Sequence, residues 1–250
     1  MAETDLRPSR DHRLIVHHDH RLGDTNCHVA VYAKTAAWIS HHCRLRDGSR
    51  VPTVVDYLHT AQRHNGRVML ELKQAPNWTM TTFSRLATAI RRTGMVDRVV
   101  ITSMSSKLLH AARAAIPELA YWGWISNGRT PSVRSVRRHH ANLVLAQVQD
   151  LTRARVSALH AAGIPVIGAV YRHGRHVTRL RQWRRLYDLD ADGFLTDHLR
   201  RALAWSHRFE ARKGSVARAA RRHPSIDPVV THGDVEKLVL GPVDGSPPLL

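Results

Sequence analysis

The chain has 250 residues, of which 43% are hydrophobic and 23% are charged, and these proportions exclude a disordered, collagenous or fibrous protein. No stretch approaches the roughly 18 consecutive apolar residues of a membrane span, and the sequence as written carries no signal peptide, which together predict a cytoplasmic protein. The formal net charge is +18, but 33 of the 38 basic residues are arginines scattered along the chain, which favours a solvated surface over a polyanion-binding face.

Short β-branched or apolar runs alternate with longer helical patterns along most of the chain. The short runs predict strands at Glu3–Arg7, Leu14–His18, Val68–Leu72, Val99–Ser103, Leu119–Gly123, Asn142–Ala146, Pro165–Val170 and Gly193–Thr196. The longer patterns predict helices at Val54–Arg63, Thr81–Arg92, Ser106–Ala115, Ser132–His139, Thr152–Ala162, Val177–Tyr187 and Leu199–Glu210.

This alternation predicts right-handed crossovers and a parallel sheet. Only Pro8 to Arg13 separates the first two strands, and a parallel return needs about a dozen residues or more, so Leu14–His18 is predicted as an accessory antiparallel strand. The other strands number seven, one short of a closed barrel, and the predicted fold is an α/β barrel of the (β/α) TIM type. The barrel is expected over residues 1–210, and residues 211–250 are expected to form a basic, partly disordered C-terminal tail.

The two cysteines, Cys27 and Cys43, lie 16 residues apart without a CxxC motif. Two cysteines are too few for a disulfide framework or a structural zinc site. We therefore expect reduced cysteines with a structural role.

The acidic residues of two predicted strands are the strongest chemical signal. Glu3 and Asp5 point to the same face of the first strand, which leaves open either a solvent-facing surface or a site for a hard cation. Glu71 lies in an otherwise apolar strand, where an ionised carboxylate must be paired or metal-bound. A structural ion pair with Lys73 is one possibility. The other is a Mg²⁺ or Ca²⁺ site shared with Glu3 and Asp5, in which Lys73 meets an anionic oxygen of the substrate.

A histidine cluster follows the accessory strand at His17, His18 and His20. Adjacent residues of a strand point in opposite directions, and no spaced partner set completes a tetrahedral zinc site. A single histidine acting as general acid or base fits better. The pairs His41-His42 and His139-His140 are expected on the surface.

Five segments in order resemble motifs of the glycerophosphodiester phosphodiesterase family. Glu3-Thr4-Asp5 with the later His18-Asp19 is similar to the family's E-x-D strand, tight turn and H-D. The other four follow in register over the part of the chain from Glu3 to Trp205: Val51-Pro52-Thr53 is similar to I-P-T, Leu70-Glu71-Leu72-Lys73 to I-E-x-K, Ile101-Thr102-Ser103 to a strand ending in S-F, and Gly193-Phe194-Leu195-Thr196-Asp197 to G-x-x-T-D.

The resemblance implies a β/α-barrel enzyme that hydrolyses small-molecule glycerophosphodiesters to glycerol 3-phosphate and an alcohol. It implies that Glu3, Asp5 and Glu71 bind a divalent cation, Mg²⁺ or Ca²⁺, that His18 is catalytic, and that Lys73 lies near the phosphate. The family's first strand, with its H-R-G and E-N-T motifs, has no counterpart in the 250 residues, which agrees with the count of seven strands.

Two alternatives remain at the level of sequence. One is a truncated or non-catalytic barrel of the same family that binds phosphorylated ligands. The other is a basic nucleic-acid-binding protein, but the sequence has no zinc finger, no aromatic RNA-binding motif and no basic-region heptads, so no nucleic-acid partner is expected.

Overall fold

The computed structural model describes residues 1–169, 171–172, 175–176, 180–198 and 200–205. The strands of these residues are β1 (Ala2–Pro8), β2 (Leu14–Val16), β3 (Val68–Leu72), β4 (Val99–Ser103), β5 (Tyr121–Ile125), β6 (Leu143–Gln147), β7 (Val166–Ala169), β8 (Tyr171–Arg172), β9 (Arg175–His176) and β10 (Gly193–Phe194). The α-helices are α1 (Ala36–His42), α2 (Val54–Arg63), α3 (Met80–Arg92), α4 (Ser106–Ala115), α5 (Val133–Arg138), α6 (Arg153–Ala161) and α7 (Leu180–Asp188), and short 3₁₀ helices lie at Val31–Ala33, Val96–Arg98 and Val148–Asp150.

The chain forms two compact units, one centred on β1 to β5 and the other on β6, β7 and β10. In the first unit the strand order is β2-β1-β3-β4-β5, and the β3, β4 and β5 neighbours are parallel. In the second unit β6, β7 and β10 are parallel neighbours in that order. A short antiparallel pair, β8 with β9, was not predicted.

The predicted α/β fold class is confirmed. β2 pairs antiparallel with the end of β1, from Leu6 opposite Val16 to Pro8 opposite Leu14, so it is the accessory strand that the short connection demanded. The bounds of β3, β4, α2 and α4 agree with the predicted ones. Of the last predicted helix, residues 200–205 are described and helical, and the tail predicted over 211–250 lies outside the described residues.

The central strands owe their form to mainly apolar sequence. Every residue of β3 and of β4 is buried, as expected for parallel strands that are covered on both faces. The helices begin at side-chain caps, and α2 has a full capping box in which Thr53 and Asp56 each accept a hydrogen bond from the other's backbone,. No helix in the described ranges is long and apolar enough to cross a membrane.

The connection between β2 and α2 has a small core of its own, which includes Leu22, Ile39 and Val51. Within it Cys27 and Cys43 form a disulfide, so the expectation of reduced cysteines is wrong. The reason lies in α1, which the sequence did not reveal because seven residues are too few to display a helical period,. Cys43 directly follows this helix, and its sulfur meets that of Cys27 on the preceding loop.

Candidate active site

Three carboxylates converge on the sheet. Glu3 and Asp5 lie on β1, and Glu71 lies on the neighbouring β3, whose end is joined to β1 by the hydrogen bond from the backbone N–H of Lys73 to the carbonyl of Leu6 (3.2 Å). One carboxylate oxygen from each acid lies within 4.8 Å of the other two, and all three residues are buried. The convergence that a cation site shared by these three acids would require is therefore present.

Lys73 lies in contact with two of the three acids. Its Nζ is 3.1 Å from Asp5 Oδ1 and 2.9 Å from Glu71 Oε1, with only 13% of the lysine side chain exposed. The ion pair considered for Glu71 thus exists, and it extends to Asp5. The cluster has three carboxylates and Lys73 brings one positive charge. A cation can therefore bind beside Lys73, and the ion pair and a cation site are compatible.

Burial raises the pKa of the Glu71 carboxyl, because it removes water from the charged form,. Lys73 opposes this shift by attraction, whereas the negative charge of Asp5 adds to it by repulsion. At Glu71, burial and the charge of Asp5 together therefore outweigh the attraction of Lys73.

The three acids fit a hard divalent cation. Mg²⁺ and Ca²⁺ select oxygen ligands, and carboxylates are the common protein donors. A buried group of three such donors within 4.8 Å of one another would be destabilised by mutual repulsion without positive charge among them. Glu3, Asp5 and Glu71 are the residues that would hold the cation.

His18 lies at the edge of this cluster. Its Nδ1 is 2.8 Å from Asp19 Oδ1, and the hydrogen bond lowers the pKa of the Asp19 carboxyl. The His18 side chain is 57% exposed, and its charge acts on Glu71 closely enough to contribute to the pKa of that acid. With Nδ1 engaged by Asp19, Nε2 is the His18 ring nitrogen that has no hydrogen bond within the described residues.

The neighbouring His17 has a different environment. It is buried, its Nε2 lies 2.6 Å from Asp24 Oδ1, and its Nδ1 lies 2.8 Å from the carbonyl of Asp19. Its backbone N–H also donates to the carbonyl of Asp5 (3.0 Å). Both ring nitrogens are engaged within the fold, so His17 anchors the loop, whereas His18 is held through one ring nitrogen.

Arg7 is a residue of this site that sequence reasoning missed. It lies on β1 two residues after Asp5, and its pKa is lowered by burial, against the attraction of Asp5, Asp19 and Glu71. The signal that could have revealed it is the same alternation that links Glu3 and Asp5, since i, i+2 and i+4 share one face of a strand.

The comparison with protein-family models matches residues 1–201 to the Glycerophosphoryl diester phosphodiesterase family. The comparison with curated proteins gave no match.

Solved structures share the fold. A glycerophosphodiester phosphodiesterase from Parabacteroides distasonis is 17% identical, with a TM-score of 0.66 and coverage of 84% of each chain. A glycerophosphodiester phosphodiesterase from Agrobacterium tumefaciens is 23% identical, with a TM-score of 0.61 over 76% of this chain and 80% of that one. A phosphodiesterase from Oleispira antarctica, solved in complex with the product sn-glycerol-3-phosphate, is 17% identical, with a TM-score of 0.65 over 76% and 77%.

Proposed function

Since this chain belongs to the glycerophosphoryl diester phosphodiesterase family, and so to the phosphoric diester hydrolases, we propose that it hydrolyses glycerophosphodiesters to glycerol 3-phosphate and an alcohol. The observation that carries the proposal is the buried cluster of Glu3, Asp5 and Glu71, with one oxygen of each within 4.8 Å of the others. The Oleispira antarctica structure, in which a related fold holds sn-glycerol-3-phosphate, supports this class of substrate.

The cluster would hold Mg²⁺ or Ca²⁺, which when bound polarises the phosphoryl group and stabilises its developing charge. Hydrolysis breaks the bond from phosphorus to the alcohol oxygen and forms one to the oxygen of water, whose proton leaves to the solvent. His18 protonates the departing alkoxide from Nε2, while Asp19 holds the ring through Nδ1 (2.8 Å),. Lys73, already at this point between Asp5 and Glu71, lies near the phosphate and stabilises its charge.

The test is release of glycerol 3-phosphate from glycerophosphocholine by the full chain, with Mg²⁺ or Ca²⁺ and with a chelator. His18→Ala should lower turnover by about 10²- to 10⁴-fold, the range for loss of a general acid or base. His20→Ala is the matched control, since it removes a histidine two residues away that carries no role in the proposal. Unchanged turnover in His18→Ala would overturn the assignment of His18. Cation binding without any release of glycerol 3-phosphate would overturn the proposed hydrolysis and favour the alternative, a non-catalytic barrel that binds phosphorylated ligands.

The cytoplasmic location expected from the sequence remains a prediction. The Cys27–Cys43 disulfide weighs against it, because glutathione and thioredoxin keep most cytosolic thiols reduced. The test is to trap free thiols in rapidly quenched cells that make the protein. Free thiols at Cys27 and Cys43 would agree with a cytoplasmic location, and an intact disulfide would argue against it.

A further inference from the structure

Arg7 occupies a place that the proposed reaction has not used. Side chains alternate between the two faces of a strand, so Arg7 lies on the same face of β1 as Glu3 and Asp5. It is two residues further along the strand, and it is half-buried. Its guanidinium therefore belongs to the face of the sheet that carries the acidic cluster.

Two backbone carbonyls fix this guanidinium. Nε donates to the carbonyl of His18 (2.8 Å), and Nη1 donates to the carbonyl of Gln74 (3.1 Å). His18 follows β2 and Gln74 follows β3, so Arg7 joins the two loops that flank the cluster. A guanidinium has five N–H donors, and these two hydrogen bonds leave three without an acceptor among residues 1–169 and the other described ranges.

The groups in direct contact with Arg7 are neutral. Lys73 is in direct contact with the carboxylates of Asp5 and Glu71, whereas Arg7 contacts neutral carbonyl oxygens and forms no ion pair within the described part of the chain. A phosphodiester is an anion, and the acids of the cluster repel it. A fixed cation that is not in direct contact with a carboxylate can offer its N–H groups to such a ligand.

We propose that Arg7 binds the phosphate group of the substrate. The inference rests on the proposed function for its substrate, but it needs only a phosphate ligand and no turnover. The planar guanidinium, held by His18 and Gln74, presents its remaining N–H groups as a preorganised fork for phosphate oxygens. Because the same side chain holds the His18 backbone, binding of phosphate and the placement of His18 depend on one residue.

The first experiment measures binding of sn-glycerol 3-phosphate and of inorganic phosphate to the full chain by calorimetry, in the presence of Mg²⁺. Arg7→Lys keeps the charge and loses the fork, and Arg7→Gln loses the charge. We expect Kd to rise about 10- to 100-fold in Arg7→Lys, the loss typical of charge-assisted hydrogen bonds, and further in Arg7→Gln. The matched control is Arg91→Lys, which alters an arginine paired with Glu118 on the surface and should leave Kd within about twofold.

The second experiment needs no variant, so it holds even if both substitutions at Arg7 prevent folding. Phenylglyoxal modifies accessible arginines, and peptide mass mapping reports each one. We expect sn-glycerol 3-phosphate to slow modification of Arg7 at least about tenfold at saturation and to leave Arg91 unaffected. Equal modification of Arg7 with and without ligand would overturn the proposal.

The outcomes separate this proposal from the enzyme proposal. Binding that depends on Arg7, without hydrolysis of any glycerophosphodiester, would sustain the role of Arg7 and overturn the proposed function. Hydrolysis with unchanged KM and Kd in Arg7→Lys would overturn the role of Arg7 and leave the function standing. A lower melting temperature in Arg7→Lys with unchanged Kd would show that Arg7 only joins the two loops, and failure of the unmodified chain to bind either phosphate probe would also overturn the proposal.

Discussion

Removal of the Lys73 ammonium tests whether the acidic cluster, besides forming the ion pairs with Lys73, also binds a divalent cation. Lys73 Nζ lies 3.1 Å from Asp5 and 2.9 Å from Glu71, and the three side chains are 13%, 5% and 11% exposed. Loss of one partner from a buried ion pair costs about 3–5 kcal/mol, because the remaining charge is buried without compensation. Lys73→Met keeps the length and apolar stem of the side chain and should therefore lower the free energy of unfolding by about that amount without added metal.

A divalent cation should restore much of this loss. Binding to the folded state alone stabilises a protein by about 2.7 kcal/mol when the free ligand is at 100 times its Kd. The cation no longer shares Asp5 and Glu71 with Lys73 in the variant, so we expect a larger stabilisation by Mg²⁺ or Ca²⁺ in Lys73→Met than in the unchanged protein.

The assay is urea unfolding of both proteins, with chelator and with a titration of each cation. Arg91→Met is the control, because the Arg91–Glu118 pair lies on the surface and its loss should have a much smaller effect on stability,. Its acidic cluster is intact, so metal should stabilise Arg91→Met as much as it stabilises the unchanged protein. Equal stability of Lys73→Met and the unchanged protein in chelator, or an equal gain from metal in both, would refute the reasoning.

Three further predictions follow from single features of the structure. Replacement of Cys27 and Cys43 by serine, which opens a loop of 16 residues, should lower the free energy of unfolding by about 3 kcal/mol in the chain-entropy treatment, as measured in urea. Gly168→Ala would place a Cβ in steric overlap with Leu186 Cδ2, and overpacking of this kind should cost about 1–3 kcal/mol, visible as a lower melting temperature. Because burial raises the pKa of Glu71, cation affinity measured by calorimetry should increase as pH rises through that raised pKa and fall below it, where Glu71 is protonated; a flat profile would contradict this.

The sequence predicts the strands and the acidic cluster because both depend on local pattern. Val68–Leu72 and Val99–Ser103 are mainly apolar runs, and their predicted bounds agree with the structure. The spacing of Glu3 and Asp5 fixes their shared face, since a strand has a period of two residues. A neighbouring strand that carries Glu71 then needs only the right register to complete the cluster.

The sequence fails where a contact depends on a segment without a clear period. The Cys27–Cys43 disulfide exists because α1 and its loop fold over a local core, and neither has a pattern long enough to recognise. Arg7 was missed for another reason. Its alternation with Glu3 and Asp5 was visible, but its role depends on the carbonyls of His18 and Gln74, and backbone acceptors leave no trace in side-chain patterns.

The placement of His18 shows why such contacts matter for the chemistry. β2 ends at Val16, so His18 lies beyond the strand pairing, and side chains from elsewhere must hold its loop. Arg7 donates a hydrogen bond to the carbonyl of His18, and Asp24 holds the side chain of His17, the residue before it. A general acid must stay within hydrogen-bond reach of the atom that it protonates. The anchors at Arg7 and Asp24 therefore decide whether His18 can work as proposed, although neither is a strand-forming or metal-binding signal in the sequence.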